Sequence, residues 1–327
     1  MHRRRFLTHT AAFAAAAGVA PMARAVAQEQ WPQRQVSIVV PFAAGGSADL
    51  IGRLLAQHLQ AKYDIPFVVE NRGGAGGSIG TAVVAKAPND GYTLLVGTVS
   101  THAINPSLYA RLPFDVERDF QPITNLVRLP NLLVVNNCIP VKTVSDVVAY
   151  LKANDGKVNY GSSGNGTSSH LSAVMFQLAT GTKMTHVPFR STSEEMTNMI
   201  GGHIQLAIDS MTSIWPQAKA GEVRAIAVST PQRSATAPDL PTIGETIKGF
   251  EATGWQGLYA PAGTPRPIVT RIADDVKRIF GKPEVVTALQ NVGGDPAAMT
   301  PDEFTAFARA ERVKWAEVVK AAGVRIE

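Results

Sequence analysis

The sequence predicts an α/β fold in which two sheet-based lobes are each built from strands alternating with helices. Its 327 residues are enough for about two domains. Of these residues 45% are hydrophobic and 17% are charged, a composition that supports a buried core and excludes a disordered chain. Short β-rich runs alternate with apolar residues at helical spacing, which favours mainly parallel sheets with helices on both faces.

The first lobe begins with a strand and a helix joined by a glycine-rich turn. Residues 36–40 (VSIVV) predict a strand that ends at Pro41, shortly before the pair Gly45-Gly46. Leucines at helical spacing predict a helix over residues 49–62. The same alternation continues with a strand at 67–69, a helix at 79–86 and a strand at 92–96.

The second lobe repeats this arrangement. Further strands are predicted at 132–135, 158–160, 204–208 and 223–228, and helices at 144–152, 169–179 and 196–200. Three helices close the chain, at 268–280, 284–291 and 302–321. We expect the chain to pass between lobes near residues 126–131 and to return near 249–254. The first lobe is then predicted to comprise residues 28–126 and 251–327, and the second residues 127–250.

The N-terminal 27 residues predict an export signal peptide and therefore a periplasmic protein. They contain three consecutive arginines at 3–5, an alanine-rich run over 10–20 and the small-residue site Ala25-Val26-Ala27. The arginine pair followed by Phe6-Leu7 resembles a twin-arginine signal. A Sec signal with extra arginines and a soluble N-terminal helix are the alternatives.

The basic net charge of +5 belongs largely to this signal. Four of the 31 basic residues and none of the 26 acidic residues lie in residues 1–27, which leaves 27 against 26 and a net charge of +1. No run of Lys and Arg remains that would neutralise phosphates, so nucleic acid is excluded as a partner. No run of 18 apolar residues follows position 28, so we expect no membrane span.

Two segments, residues 41–49 (PFAAGGSAD) and residues 161–170 (GSSGNGTSSH), each follow a predicted strand and open a predicted helix. Such a turn directs backbone N–H groups and the positive end of the helix dipole at one point, which suits an organic anion. The alternative is that both are only tight strand-to-helix connections. The candidate ligand-binding residues are Phe42, Ala43, Gly45, Gly46, Ser47, Asp49, Ser162, Ser163, Gly164, Thr167, His170 and Asp209.

Three of these candidates have a second interpretation. Asp49 lies in the first helical turn, where a carboxylate stabilises the helix dipole without touching a ligand. His170 lies one turn into its helix, where capping or packing competes with ligand contact. Asp209 follows a strand, at the end where ligands bind in α/β folds, and the alternative is an exposed surface position.

Motifs for catalysis and for cofactors are missing from the same loops. Residues 161–165 do not form G-x-S-x-G because Asn165 replaces the last glycine, and no Walker lysine follows either loop. The histidines form no H-E-x-x-H motif, and the single cysteine excludes a disulfide and a multi-thiolate zinc site. We therefore expect no enzyme activity, no metal and no cofactor.

An ordered series of motifs along the whole mature chain is similar to one family. The motifs are WPQR at 31–34, PFAAGGSAD at 41–49, VENRGGAGG at 69–77, NDGYTLL at 89–95, LPFD at 112–115, the loop at 161–171, HVPFR at 186–190, LPT at 240–242 and WQGLYAPAGTP at 255–265. In these the chain resembles the Bug (TctC-type) receptors, the extracytoplasmic solute receptors of tripartite tricarboxylate transporters.

The resemblance implies a type II periplasmic-binding-protein fold, in which two α/β lobes joined by crossing strands close on a small carboxylated solute. It implies that the ligand carboxylate is held by backbone and hydroxyl groups of residues 41–49 and 162–170, and that the partners are the membrane subunits of a transporter. We expect a monomer. The alternatives are a receptor that signals to a membrane sensor kinase and a periplasmic enzyme on the same fold.

Overall fold

A computed structural model describes residues 31–189, 191–291 and 293–327, whose strands form one sheet of six strands and one of five. The predicted signal peptide over residues 1–27 lies outside the described residues. None of the helices in the described ranges has the length and apolarity needed to cross a membrane.

The six-stranded sheet has the order β11-β4-β10-β3-β1-β2. Its strands are β1 (Val36–Val40), β2 (Phe67–Asn71), β3 (Thr93–Thr98), β4 (Phe120–Leu129), β10 (Gly254–Pro261) and β11 (Asp295–Pro296). The five-stranded sheet has the order β7-β6-β8-β5-β9. Its strands are β5 (Asn131–Val135), β6 (Asn159–Ser162), β7 (Thr185–Pro188), β8 (Leu206–Ser210) and β9 (Arg224–Val228).

Eleven α-helices connect and cover these strands within the described ranges. They are α1 (Ser47–Tyr63), α2 (Ser78–Ala85), α3 (Asn105–Leu108), α4 (Val144–Ala153), α5 (Ser168–Thr180), α6 (Thr192–Ile200), α7 (Met211–Lys219), α8 (Ile243–Thr246), α9 (Arg266–Phe280), α10 (Pro283–Asn291) and α11 (Pro301–Ala322). A 3₁₀ turn over Ala75–Gly77 precedes α2, and a π-helical turn over Ser100–Ile104 precedes α3.

The expectation of mainly parallel sheets is wrong, because both sheets are mixed. β1 pairs in parallel with β2 and β3, and β6 pairs in parallel with β7 and β8. In the first sheet β10 runs antiparallel to β3 and β4, and in the second sheet β5 runs antiparallel to β8 and β9. The strands β4, β5 and β10 lie next to the passages between the sheets. Each of them pairs antiparallel with its neighbours.

Asn131 ties the two passages between the sheets together. The chain leaves the first sheet at Leu129 and enters the second at Asn131, with only Pro130 between them. The backbone N–H of Asn131 donates to the Ser229 hydroxyl at 2.9 Å, and the side-chain amide donates to the Ala252 carbonyl at 2.8 Å. Ser229 and Ala252 belong to the returning passage, so one buried side chain joins both crossings.

Most apolar residues at helical spacing are buried, but several are exposed. Ile51, Leu55 and Leu59 of α1 are buried against β1 and α9 in the first sheet's core, whereas Leu50 is 43% exposed. Leu178 of α5 follows the helical spacing of Leu171 and Val174, yet it is 57% exposed. Leu171 of α5 lies in a cluster with Val39, so this helix of the second sheet also packs against the first.

Candidate functional site

The first glycine-rich loop leaves the N-terminus of α1 without a side-chain cap. Gly46 is the N-cap residue, in an extended conformation with φ −77° and ψ 169°, and no side chain of the described residues caps the first turn. The loop residues Ala43, Gly45 and Gly46 are exposed, while Phe42 and Ser47 are half-buried. The N–H groups of this turn are therefore available to an anion.

The buried carboxylate of Asp49 is hydrogen-bonded to this loop. It is only 3% exposed, and its Oδ2 accepts from the Gly45 backbone N–H at 2.9 Å and from Arg53 Nε at 3.0 Å. Its Oδ1 accepts from Asn71 Nδ2 at 2.9 Å. Burial acts to raise the pKa of Asp49, but the hydrogen bonds from Arg53, Gly45 and Asn71 together lower it below its ordinary value. This geometry favours the stabilising interpretation of Asp49, and contact with a ligand stays a prediction.

The hydroxyls of Ser162, Thr167 and Ser169 form hydrogen bonds within the second loop itself. Ser162 is buried, and its Oγ accepts from the Gly164 N–H at 3.2 Å. Ser169 Oγ accepts from the Ser163 N–H at 3.1 Å. Thr167 donates to the Gly164 carbonyl at 2.7 Å and caps α5 by accepting from the His170 N–H at 3.4 Å. Unlike α1, therefore, α5 begins with a side-chain cap.

Two stacked histidines support the second loop. The His170 and His186 rings are parallel, with centroids 3.9 Å apart, and Tyr160 continues the stack. His170 Nδ1 accepts from the Gly166 N–H at 3.0 Å, and His186 Nε2 lies 2.6 Å from Ser162 Oγ. Burial lowers the pKa of both histidines, that of His186 to about 4 with a smaller contribution from His170. Both rings are therefore neutral near pH 7. This geometry favours the packing interpretation of His170, and its contact with a ligand stays a prediction.

Asp209 is buried at the end of β8, which excludes the surface position considered for it. Its carboxylate accepts from the Thr192 hydroxyl at 3.1 Å and from the Ser210 N–H at 2.6 Å. Beside it lies the fully buried carboxyl of Glu195, which has no N–H or O–H donor among the described residues. Burial, the charge of Asp209 and a hydrogen bond to Asp209 raise the pKa of Glu195 to about 10. Glu195 is therefore a protonated, neutral acid near pH 7.

The sequence interpretation missed Glu195 and His186. Glu195 had a detectable signal, because it stands four residues before Met199 and directly before Met196, on the stripe that α6 buries. A carboxyl on an apolar helix face needs a partner or a proton. His186 had no signal in sequence, since only the pairing of β6 with β7 places it beside Tyr160.

The strand register brings the candidate residues of each sheet to one edge. β1 and β3 run in parallel, so loop 41–46 follows the same edge at which β3 ends. β6 and β8 run in parallel, so the second loop and Asp209 lie at the corresponding edge of the other sheet. The second loop also lies close to α3, which follows the first sheet's strand β3. A Cβ added to Gly166 would lie only 2.7 Å from the side chain of Leu108.

Residues 51–324 match the family described as "Tripartite tricarboxylate transporter family receptor". The chain is 32% identical to protein BugT of Bordetella pertussis over 329 residues, which cover all of both chains. It is similar to the solved structure of R. palustris Rpa4515 with adipate, at 36% identity and a TM-score of 0.78 over 90% of this chain and 99% of that one. It is also similar to MatC of Rhodopseudomonas palustris with bound malate, at 31% identity and a TM-score of 0.73 over 88% and 100% of the two chains.

These similarities confirm the type II periplasmic-binding-protein fold that was expected from the sequence, with two α/β lobes around the two sheets. The family resemblance is confirmed as well, since the matched region and the full-length relatives cover most of the chain. The chain therefore belongs to the receptor family of the tripartite tricarboxylate transporters, which includes the Bug proteins.

Proposed function

We propose that this protein is a periplasmic receptor that captures a small organic carboxylate between its two lobes and delivers it to the membrane subunits of a tripartite tricarboxylate-type transporter. The observation that carries the proposal is the uncapped, exposed N-terminus of α1 after the glycine loop. Two similar receptors were solved with the dicarboxylates adipate and malate, which supports the same ligand class here.

The free energy required for tight binding favours a site that uses both lobes. An exposed helix N-terminus stabilises an anion by about 0.3–1 kcal/mol, and a partly buried one by up to about 2 kcal/mol. Micromolar binding needs about 8 kcal/mol. The remainder is assigned to burial of the ligand between the lobes, with residues 28–126 and 251–327 on one side and 127–250 on the other. Closure of the lobes by hinge motion then provides the enclosure.

The internal bonding of the second loop defines its part in this proposal. The hydroxyls of Ser162, Thr167 and Ser169 are engaged within the loop, so they fix its shape. A ligand carboxylate at this loop accepts hydrogen bonds from the backbone N–H groups that remain free. We propose that the first loop supplies the main hydrogen-bond donors to the anion. The second loop forms a rigid surface on the opposite side of the ligand, and Asp209 lies near this surface.

A panel of organic acids, including adipate and malate, tests the proposal by thermal unfolding and calorimetry. A ligand at 100 times its dissociation constant should raise the free energy of unfolding by about 2.7 kcal/mol. X-ray scattering should show a monomer that becomes more compact on binding, and NMR of the recovered acid should show it chemically unchanged. A chain whose melting temperature responds to no acid of the panel contradicts the receptor proposal, and turnover of the acid favours an enzyme.

A further inference from the structure

One buried polar side chain at the N-terminus of α1 has an atom without a partner. Gln256, on β10, is 2% exposed, and its Nε2 donates to the Ser47 hydroxyl at 3.0 Å. Its Oε1 is buried and has no hydrogen-bond partner among the described residues. Buried polar atoms in native proteins are nearly always satisfied, so this oxygen points to a group bound from outside the chain.

The strand register places Gln256 at the edge where the first loop lies. Gln256 pairs with Thr98, the last residue of β3. β3 is parallel to β1, with Leu95 opposite Val39, so Thr98 is level with Phe42 at the start of the loop. The amide of Gln256 thus lies at the floor of the region onto which the N-terminus of α1 opens.

The bond to Gln256 also sets the direction of the Ser47 hydroxyl. Ser47 Oγ accepts from Gln256, so its own hydrogen remains available as a donor. That hydrogen and the first-turn N–H groups of α1 favour an anion at this point, whereas the neighbouring Oε1 of Gln256 favours a hydrogen-bond donor. The region therefore offers donors and one acceptor side by side.

We propose that Gln256 is a specificity-determining residue that selects carboxylates carrying a hydroxyl or an ammonium group on the adjacent carbon. The carboxylate binds at the N-terminus of α1 and at Ser47, and the adjacent O–H or N–H donates to Gln256 Oε1. The inference rests on the proposed carboxylate-receptor function and adds the ligand class. A plain diacid leaves the buried oxygen unsatisfied and binds more weakly.

Calorimetry with two pairs of acids that differ by one hydroxyl tests the inference. The pairs are succinate with malate and adipate with 2-hydroxyadipate. For whichever pair fits the site in length, the wild-type protein should bind the hydroxylated member about ten-fold more tightly, which corresponds to about 1.4 kcal/mol. In Gln256→Met, which keeps the length of the side chain without its amide, the preference should fall within about three-fold.

Two further variants separate specificity from folding. Gln60→Met makes the same substitution on the exposed side of α1 and should leave the preference unchanged. Ser47→Ala removes the hydroxyl beside the carboxylate, so it should weaken both members of a pair alike. The melting temperature of each ligand-free variant reports its folding.

Three results overturn the inference. One is a wild-type protein that binds a plain diacid as tightly as its hydroxylated pair, which leaves the receptor function intact. Another is a preference that survives in folded Gln256→Met. Binding of neither pair overturns the inference as well, and binding of no acid in the wider panel contradicts the receptor function itself. The first of these results is measured on the wild-type protein alone, so it does not depend on whether the variants fold.

Discussion

Placing a capping side chain at Gly46 should stabilise the free protein and weaken carboxylate binding. Gly46 has an extended backbone that any residue adopts, and an added Cβ would meet only the Ala43 carbonyl oxygen, at an ordinary 3.7 Å. Gly46→Asp therefore fits without strain. Its carboxylate would accept from the first-turn N–H groups of α1, which no side chain caps in the part of the chain that the structure describes.

The two effects have opposite signs and different sizes. Asp improves on Gly as an N-cap by a few tenths of a kcal/mol, and a negative charge at a helix N-terminus adds about 0.3–1 kcal/mol, so the free protein should gain about 0.5–1 kcal/mol. A ligand carboxylate loses the occupied donors and meets a like charge, whose repulsion at ~4 Å is about 4 kcal/mol at an effective dielectric constant of ~20. Allowing for movement of the side chain, a loss of at least about 2 kcal/mol, or about 30-fold in affinity, is expected.

Chemical denaturation of the free protein and calorimetry with adipate and malate measure the two effects. Gly46→Ala adds the Cβ without a cap, and Gly46→Ser adds a cap without a charge, so the series separates volume, donor occupancy and repulsion. Gly46→Ala should bind like the wild type, and Gly46→Ser should lie between it and Gly46→Asp. A Gly46→Asp protein that binds these acids with unchanged affinity refutes the assignment of the α1 N-terminus as the anion site.

Three further substitutions test the groups beneath the loops. Asp49→Asn removes the carboxylate that holds the Gly45 N–H, so it should lower the free energy of unfolding by about 1–3 kcal/mol and weaken all acids alike; a change of selectivity would instead show ligand contact. His186 is neutral when folded, with its pKa lowered to about 4, whereas an unfolded histidine protonates near pH 6.5, so stability should fall as the pH is lowered between these values. His186→Gln should flatten that slope in pH-dependent melting, and a replacement of the exposed His203 by Gln should not. Glu195 keeps its proton up to about pH 10 when folded but loses it near pH 4.5 when unfolded, so stability should fall as the pH rises through this range. Glu195→Gln should therefore be more stable than the wild type at pH 8 and similar to it near pH 4, and its exposed neighbour Glu194 replaced by Gln should show no such difference.

Strands with uninterrupted β-branched runs were predictable from the sequence, and strands shaped by distant packing were not. β1 was predicted to the residue, since Val36–Val40 is buried against helices on both sides. β10 was missed because Gly254, Gly257 and Pro261 interrupt its pattern. Gly257 is required there, because a Cβ would lie 2.1 Å from the ring of Phe304, and only the packing of α11 on the sheet shows this contact.

The positions of the two glycine loops were predictable from the sequence, and the hydrogen-bond partners of their polar groups were less so. Both glycine loops do connect a strand end to a helix start, because that depends on local pattern. The partners of the polar groups depend on contacts across the chain, such as that of Asp49 with Asn71, a residue of the next strand. The family resemblance implies ligand contact by hydroxyls of the second loop, and their spacing of two to six residues also allows them to bond within the loop, as Thr167 and Ser169 do.

The cluster of hydrogen bonds around Asn131 restricts how the two passages between the sheets can move. The Asn131 amide also donates to Ser172 of α5, at 3.2 Å, so this helix is fastened to the same point as both passages. Neither passage can slide past the other without breaking these buried bonds, and the second loop at the start of α5 is carried with them. In the closure proposed above, we therefore expect the lobes to rotate about this point, with the second loop moving as a unit that keeps its internal hydrogen bonds.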